Sequence, residues 1–334
     1  MNKNNFAVVV FTHKRAMQLH ATLESLFEFI SPSVKVHVIY HALPSHERSY
    51  EILKNDFRDH DLKFYKWGKR CLFDLFVKVI TRPLNLIWLF RFPVYFKKYG
   101  DFKVTFENAL KEVKEQFVML STDDQIFFRH LLDQEKIINL LLQDEAQIAF
   151  WSHVQPDFLP PYHFYDRNKP HANSGLINND ANKKIKWNTS KFKRNSLFAY
   201  RFHVDGTIYS KSYLLKLLKP TIYHLPTTLE AVGLWESRLR GYFKFGLMNE
   251  KRILIGVQAN NIQTLSDTPH ASFDVEYLQK AYISGFRLSV TSKDFIDKEY
   301  IYVPKDLRFN NKSIGLFNVP YIELAKYFDD KKLL

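Results

Sequence analysis

Glycine is scarce in this chain, with 10 in 334 residues, and there is a single cysteine, Cys71. One cysteine excludes an intramolecular disulfide framework and any all-cysteine metal site; it fits a reducing compartment, so the cytoplasm is the expected location. Neither G-x-G-x-x-G, G-x-x-x-x-G-K nor G-x-S-x-G occurs, which argues against dinucleotide dehydrogenases, P-loop NTPases and serine hydrolases. A long uninterrupted hydrophobic run is also missing. The most apolar stretch, Cys71 to Phe96, is broken by Asp74, Lys78, Arg82, Arg91 and two prolines, whereas a spanning helix needs about 20 nearly uninterrupted apolar residues. The short N-terminal apolar run has no small-residue cleavage site after it and reads as a buried strand rather than a signal peptide. His153, His163 and His171 stand at no metal-ligand spacing, so zinc is not expected.

What is present is a large apolar fraction, 46%, with 16% aromatic residues, enough to bury one large core or two modest ones. The 48 Lys and Arg outnumber the 35 Asp and Glu, giving a net charge of +13. That surplus favours an anionic partner: phosphate, nucleotide, nucleic acid or acidic lipid.

Along the chain, Phe6 to Phe11 has the β-branched character of a strand buried on both faces, and the segment after THKR has helical periodicity to about residue 29. Val34 to Tyr40 and Leu62 to Trp67 read as further strands, with a helix over His46 to Phe57 between them. Phe102 to Glu115 reads as a helix, Gln116 to Ser121 as a strand, Leu131 to Gln143 as a helix and Ile148 to Ser152 as a strand. Residues 155 to 195 read as polar loops; a mixed segment follows, with helices at SKSYLLKLL and LPTTLEAVGLWESRLRG and a last strand around Ile253 to Val257. This alternation predicts an α/β fold with a mainly parallel sheet flanked by helices. A basic, aromatic insertion at about 70–100 interrupts it, and a C-terminal extension over 261–334 packs on a main domain of 1–260.

The strand ending at Ser121 leads into Thr122-Asp123-Asp124. Ligands of open α/β sheets collect beyond the carboxyl ends of strands, and carboxylates there suit magnesium or manganese held against a diphosphate. The competing reading is a helix N-cap. Arg15, just after the first strand, reads by itself as an exposed helix-start charge. Two carboxylates further on, Asp205 in FHVDGTIY and Glu230 in LPTTLEAV, are candidates for a general base; the alternatives are a turn for the Asp-Gly pair and a capping box for the Glu. Arg238 and Arg240 suit a diphosphate leaving group or a solvated helix face. Trp235 suits a sugar platform or the core.

The opening strand with T-x-K-R, the strand ending in an Asp pair, and the later LE-x-x-x-L-W-E-x-R-L-R together resemble the GT-A glycosyltransferases of the family 2 type over roughly residues 6 to 260. The resemblance implies a Rossmann-like GT-A fold and an inverting transfer of a sugar from a nucleotide-diphosphate donor, with Mn2+ or Mg2+, to a glycan or lipid-linked acceptor in bacterial surface polysaccharide synthesis. It implies Phe11 and Thr12 at the nucleobase, Arg15 near the nucleotide, Asp123 on the ribose or sugar, Asp124 on the metal with Asp123 beside it, and Glu230 or Asp205 as base. Two departures stand out. Tyr40-His41 occupies the place of the family's base-binding Asp, leaving His41 to stack, hydrogen-bond or simply sit in a loop, and Leu229-Glu230 replaces the usual Glu-Asp pair. The insertion, with Phe73, Phe76, Trp88, Phe90 and Phe92 among basic residues, suits peripheral contact with an anionic membrane at its inner face, or burial against protein. A basic nucleic-acid-binding protein and a nucleotidyltransferase are the alternatives; the acidic pair at the sheet edge weighs against the first, and the lack of a glycine after the first strand against the second.

Overall fold

The computed structural model describes residues 6–69, 72–91, 100–154, 176–179, 184–192, 197–260, 270–289, 301–302, 304 and 306–324. Strand β1 (Phe6–His13) is buried on both faces, as its sequence predicts. Its alternation sends Phe6, Val8 and Val10 to one core layer and Ala7, Val9 and Phe11 to another. The first layer is closed by helices α1 (Ala16–Phe29) and α2 (Glu47–Asp56). The second is closed by helices lying later in the chain.

The main sheet continues through β2 (Val36–His41), β3 (Leu62–Lys66), β4 (Phe117–Thr122), β6 (Ile148–Trp151), β9 (Thr207–Ser210) and β10 (Phe245–Asn249). With β7 (Leu176–Asn179) and β8 (Lys184–Asn188) at its edge, its nine strands run in the order β3-β2-β1-β4-β9-β6-β10-β8-β7. Strands β3, β2, β1 and β4 are mutually parallel, β10 is parallel to β6, and β9 runs antiparallel between β4 and β6. The expected α/β architecture with a mainly parallel sheet is therefore present. A small second sheet joins β5 (Gln125–Phe127), β11 (Leu254–Val257) and β13 (Ile301–Tyr302).

Two sequence expectations are corrected here. Within the stretch read as loops, Leu176–Asn179 (β7) and Lys184–Asn188 (β8) form an antiparallel hairpin on the sheet edge, because Ile185 and Trp187 alternate inward between lysines. The remainder of that stretch lies outside the described residues. Strand β10 has no counterpart in the sequence reading, since its Gly246 breaks the apolar run; that glycine makes room for the Trp187 indole, which a Cβ would meet.

The insertion supplies α3 (Leu72–Thr81) and α4 (Asn85–Arg91). Helices α5 (Phe102–Glu112), α7 (Lys211–Leu218) and α8 (Pro226–Arg240) close the second core layer, while α6 (Gln134–Gln143) packs on the first. In the C-terminal part, α9 (Val275–Ile283) packs on α1 and α2, where Tyr282 Oη lies 3.0 Å from His20 Nδ1. Strands β12 (Arg287–Leu288), β14 (Arg308–Asn311) and β15 (Leu316–Pro320) form a third sheet. Leu278, Phe309 and Leu324 share the first core layer with β1. Among the described residues no helix is long and apolar enough to cross a membrane.

Candidate active site

The carboxyl ends of β1 and β4 lie side by side because the two strands are parallel neighbours in register, so the chain leaving each strand meets at one sheet edge. No helix follows the Asp pair. Asp123 and Asp124 form the turn between β4 and β5, which removes the N-cap reading. Lys14 adopts φ 58°, a left-handed conformation uncommon for a side chain bearing a Cβ, and the next residue, Arg15, is buried. Its Nη1 lies 3.1 Å from Asp123 Oδ1 and 3.3 Å from Asp124 Oδ2, and its Nη2 donates to the Asn260 carbonyl at 2.6 Å. Arg15 is therefore no solvated helix-start charge.

The two aspartates differ in what they offer. Asp123 is enclosed: besides Arg15, its Oδ2 accepts from the His13 amide at 3.3 Å. Burial pushes its carboxyl up to about 6, against the downward pull of Arg15 and with a further push from the Asp124 charge. Asp124 is the more accessible. Its Oδ1 accepts from the Thr122 hydroxyl at 2.7 Å and its Oδ2 from Gln258 at 3.2 Å. Magnesium and manganese take one or two protein carboxylates when phosphate oxygens and water complete the shell. Asp124 fits that role and Asp123, sealed against Arg15, does not. Among the described residues no group of three or more His, Cys, Asp or Glu is arranged to hold a metal by itself. Arg15 Nε and both polar atoms of the Asn260 amide, all buried, lack hydrogen-bond partners among the described residues, an arrangement that calls for a polar ligand or solvent.

Beside the carboxylates lies an aromatic wall. His13 and His41, at the ends of β1 and β2, approach edge to face with centroids 4.8 Å apart, and Trp67 lies 4.7 Å from His41. Burial, reinforced by the charge of the other imidazole, lowers His13 to about 3, and burial with Lys14 lowers His41, so both rings are neutral at pH 7. Phe11 and Thr12 lie beneath this wall rather than in it. Phe11 packs into the core on Phe102 and Phe106 at 5.7 and 5.1 Å, and the Thr12 hydroxyl is 3.0 Å from Tyr50 Oη. His13 and Trp67 are absent from the sequence-derived site; the position of Trp67 immediately after a strand end was the signal that pointed to it.

Thr122 links this edge to a second acidic cluster, since its hydroxyl also lies 3.4 Å from Asp205 Oδ1. Gly206 follows with φ 64°, so the Asp-Gly pair is a turn, and that turn carries Asp205 to the sheet edge. Glu230 arrives on α8, which begins at Pro226 and is capped by Thr228: its hydroxyl accepts from the backbone N–H groups of His224 and Leu225 at 3.0 Å. Capping thus falls to Thr228, and Glu230, two residues further on, is left for other work. Burial and the Asp205 charge raise the Glu230 carboxyl well above an ordinary glutamate. His203 Nδ1 lies 3.2 Å from Glu230 Oε1, and burial lowers this histidine to about 3. Trp151, His153 and Tyr200 surround the His203 ring at 4.7, 5.2 and 4.9 Å. No local pattern marks His203, whose place depends on a contact across the fold.

Arg238 and Arg240 are not brought to this edge. They stand 8 and 10 residues beyond Glu230 on the same helix, about 12 and 15 Å along its axis. Arg238 donates to the Ala199 carbonyl at 3.2 Å, and Arg240 binds Glu236 at 3.1 Å and the Lys216 carbonyl at 3.0 Å. Trp235 is on the same distal part of α8, half-exposed and 6.0 Å from Trp88.

No family model and no curated protein matches the chain. Among solved structures, the 1–349 fragment of TarS from S. aureus aligns with TM-score 0.41 and 14% identity, over 88% of this chain and 67% of that one. The same fragment in complex with UDP-GlcNAc aligns at 0.40 and 13%. A mannosyltransferase from Pyrobaculum calidifontis, in complex with GDP-Man and Mn2+, aligns at 0.28 and 15%, over 45% of this chain and 35% of that one. At these scores the likeness is one of similarity alone. What the molecule itself displays is an α/β sheet edge with a neutral aromatic wall, an arginine-bound aspartate pair and, across Thr122, a second acidic cluster of raised basicity.

Proposed function

We propose that the protein is an inverting glycosyltransferase that uses a nucleotide-diphosphate sugar. One observation carries this reading: Thr122 joins two carboxylate groups of different electrostatic character, Asp124 beside Arg15 and Asp205 beside Glu230. The first suits an anionic donor, the second a neutral hydroxyl acceptor. The nucleobase lies against His13, His41 and Trp67, the ribose or sugar near Asp123, and the diphosphate at Asp124. Asp124 would hold Mn2+ or Mg2+, which when bound neutralises charge on the departing diphosphate. Glu230 accepts the proton of the attacking acceptor hydroxyl, and a carboxylate of raised proton affinity is the better base near neutral pH. His203 orients it. A single base-assisted displacement at the anomeric carbon inverts its configuration. The +13 charge fits the anionic donor, and the acceptor class is a glycan or lipid-linked glycan of the bacterial cell surface.

The test is a panel of UDP-, GDP-, CMP- and dTDP-linked sugars, with and without manganese, read by thermal shift, because a ligand that binds the native state raises its apparent stability. One nucleotide class should give a manganese-dependent shift that Asp124→Ala abolishes. No shift with any donor, in folded protein, overturns the reading.

A further inference from the structure

Away from the sheet edge, the insertion helices α3 and α4 leave apolar side chains in solvent. Phe76 and Ile80 on α3 are 64% and 63% exposed, Ile87 and Phe90 on α4 are 46% and 81% exposed, and Trp235 and Leu239 on α8 are 46% and 58% exposed. Within each helix these residues are spaced three or four apart, so each pair lies on one face. Trp88, buried on α4, lies edge to face with Trp235 at 6.0 Å and anchors α4 to α8. Monomeric proteins rarely expose this much apolar surface without a partner.

The patch is held in place. Glu236, buried on α8, accepts from Arg82 at 2.8 and 2.9 Å and from Arg240 at 3.1 Å, and the Asn85 side chain donates to the Pro220 carbonyl at 3.1 Å. A buried Arg-Glu-Arg cluster of this kind is costly to break by removing one member. Its geometry fixes the insertion to the helix that carries Glu230. Trp235 is five residues beyond Glu230 on the same helix, about 7.5 Å along the axis, so α8 rigidly links the apolar surface at its distal end to the acceptor side of the proposed site.

Charge selects the occupant. By sequence, residues 69–98 hold seven basic residues against one acidic, Asp74; Arg82 among them is held by Glu236, and Lys69 is exposed. Lys216, Lys219 and Arg238 add exposed basic residues on the neighbouring α7 and α8 region. Apolar side chains amid basic ones match a bilayer with anionic headgroups, where the rings enter the acyl boundary and the cations meet phosphate. We infer that the exposed face of α3, α4 and the end of α8 docks on an anionic lipid surface and holds the acceptor side of the site against the membrane. The docking itself is independent of the transferase reading; only its purpose, delivery of a lipid-linked acceptor, rests on that reading.

The experiment is co-sedimentation of the full chain with vesicles of phosphatidylcholine containing about 30% phosphatidylglycerol, and with phosphatidylcholine alone. The chain should pellet with the anionic vesicles and only weakly with the neutral ones. A Phe76→Ser, Phe90→Ser variant should lose about tenfold in vesicle affinity, with its thermal unfolding and soluble nucleotide-sugar binding unchanged. Both positions are solvent-exposed, so the fold is preserved. Absence of binding to anionic vesicles, or binding that the variant leaves intact, overturns the inference. A variant that turns a dimer into a monomer in sedimentation velocity without altering vesicle binding assigns the face to a second copy of the chain and overturns it equally. Failure of the nucleotide-sugar screen alongside vesicle binding would sink the transferase reading and leave the docking intact.

Discussion

The acidic residues at β4 and those around α8 are close neighbours, yet the fold treats them in opposite ways. Asp123 and Asp124 are both within ion-pair distance of one buried guanidinium. Among the described residues no lysine or arginine pairs with Glu230, whose basic neighbour is a histidine kept neutral by burial. A permanent cation favours ionised carboxylates that hold a ligand. Burial without a cation raises the proton affinity of a carboxylate and makes it a proton acceptor. Carboxyl groups of one chemical type thus acquire separate roles from the charges placed beside them, and Thr122 sets the two kinds within one hydroxyl's reach.

The comparison breaks most visibly at Glu230. Glu230→Gln should lower kcat by about 10²- to 10⁴-fold, the usual contribution of a general base, while donor affinity stays within about twofold. A variant retaining near-normal turnover would move the base to Asp205. In the wild type, kcat should rise with pH through a value well above that of an ordinary glutamate, since only ionised Glu230 accepts the proton; a profile already flat from pH 5 upward would contradict this.

On the other side, Arg15→Leu should cost about 3–5 kcal/mol of stability, because it leaves two aspartates buried without their cation; thermal or denaturant unfolding measures it. A cost below about 1 kcal/mol would mean that the pair does not depend on Arg15. Next in size, Trp67→Ala should weaken nucleotide binding about tenfold by removing the ring that tilts against His41 in the aromatic wall, read by calorimetry with no change in the metal requirement.

The smallest effect sharpens the contrast through stability. The folded-state pKa of Glu230 lies above its unfolded value, so its stabilising contribution is full below the unfolded pKa and is lost as pH rises through the folded one. Glu230→Gln removes that loss. The variant should therefore unfold at a higher temperature than the wild type at pH 8 and show little gain at pH 4. A gain independent of pH would mean that burial of the charge is not the cause.

Much of this arrangement was legible in the sequence. The β-branched runs of β1, β2 and β4 and the Asp pair at a strand end follow from local patterning, and the two candidate base carboxylates stood out as single acidic residues in turn and helix-start motifs. Strand β10 was hidden because Gly246 breaks its apolar run to admit Trp187, and the β7–β8 hairpin because its inward residues are interleaved with lysine and asparagine. The distal position of Arg238 and Arg240 was hidden for another reason: helical spacing fixes which residues share a face, but not which end of the helix meets the site. His203 gains its place only from contacts between distant segments, which no local pattern encodes.

The division of labour between the two acidic clusters is tested most directly by calorimetric titration of the active nucleotide-sugar, with manganese, into Glu230→Gln and Asp124→Ala. The account requires Glu230→Gln to bind the donor as the wild type does and Asp124→Ala to lose binding. Loss of donor binding in Glu230→Gln with full binding in Asp124→Ala would contradict it.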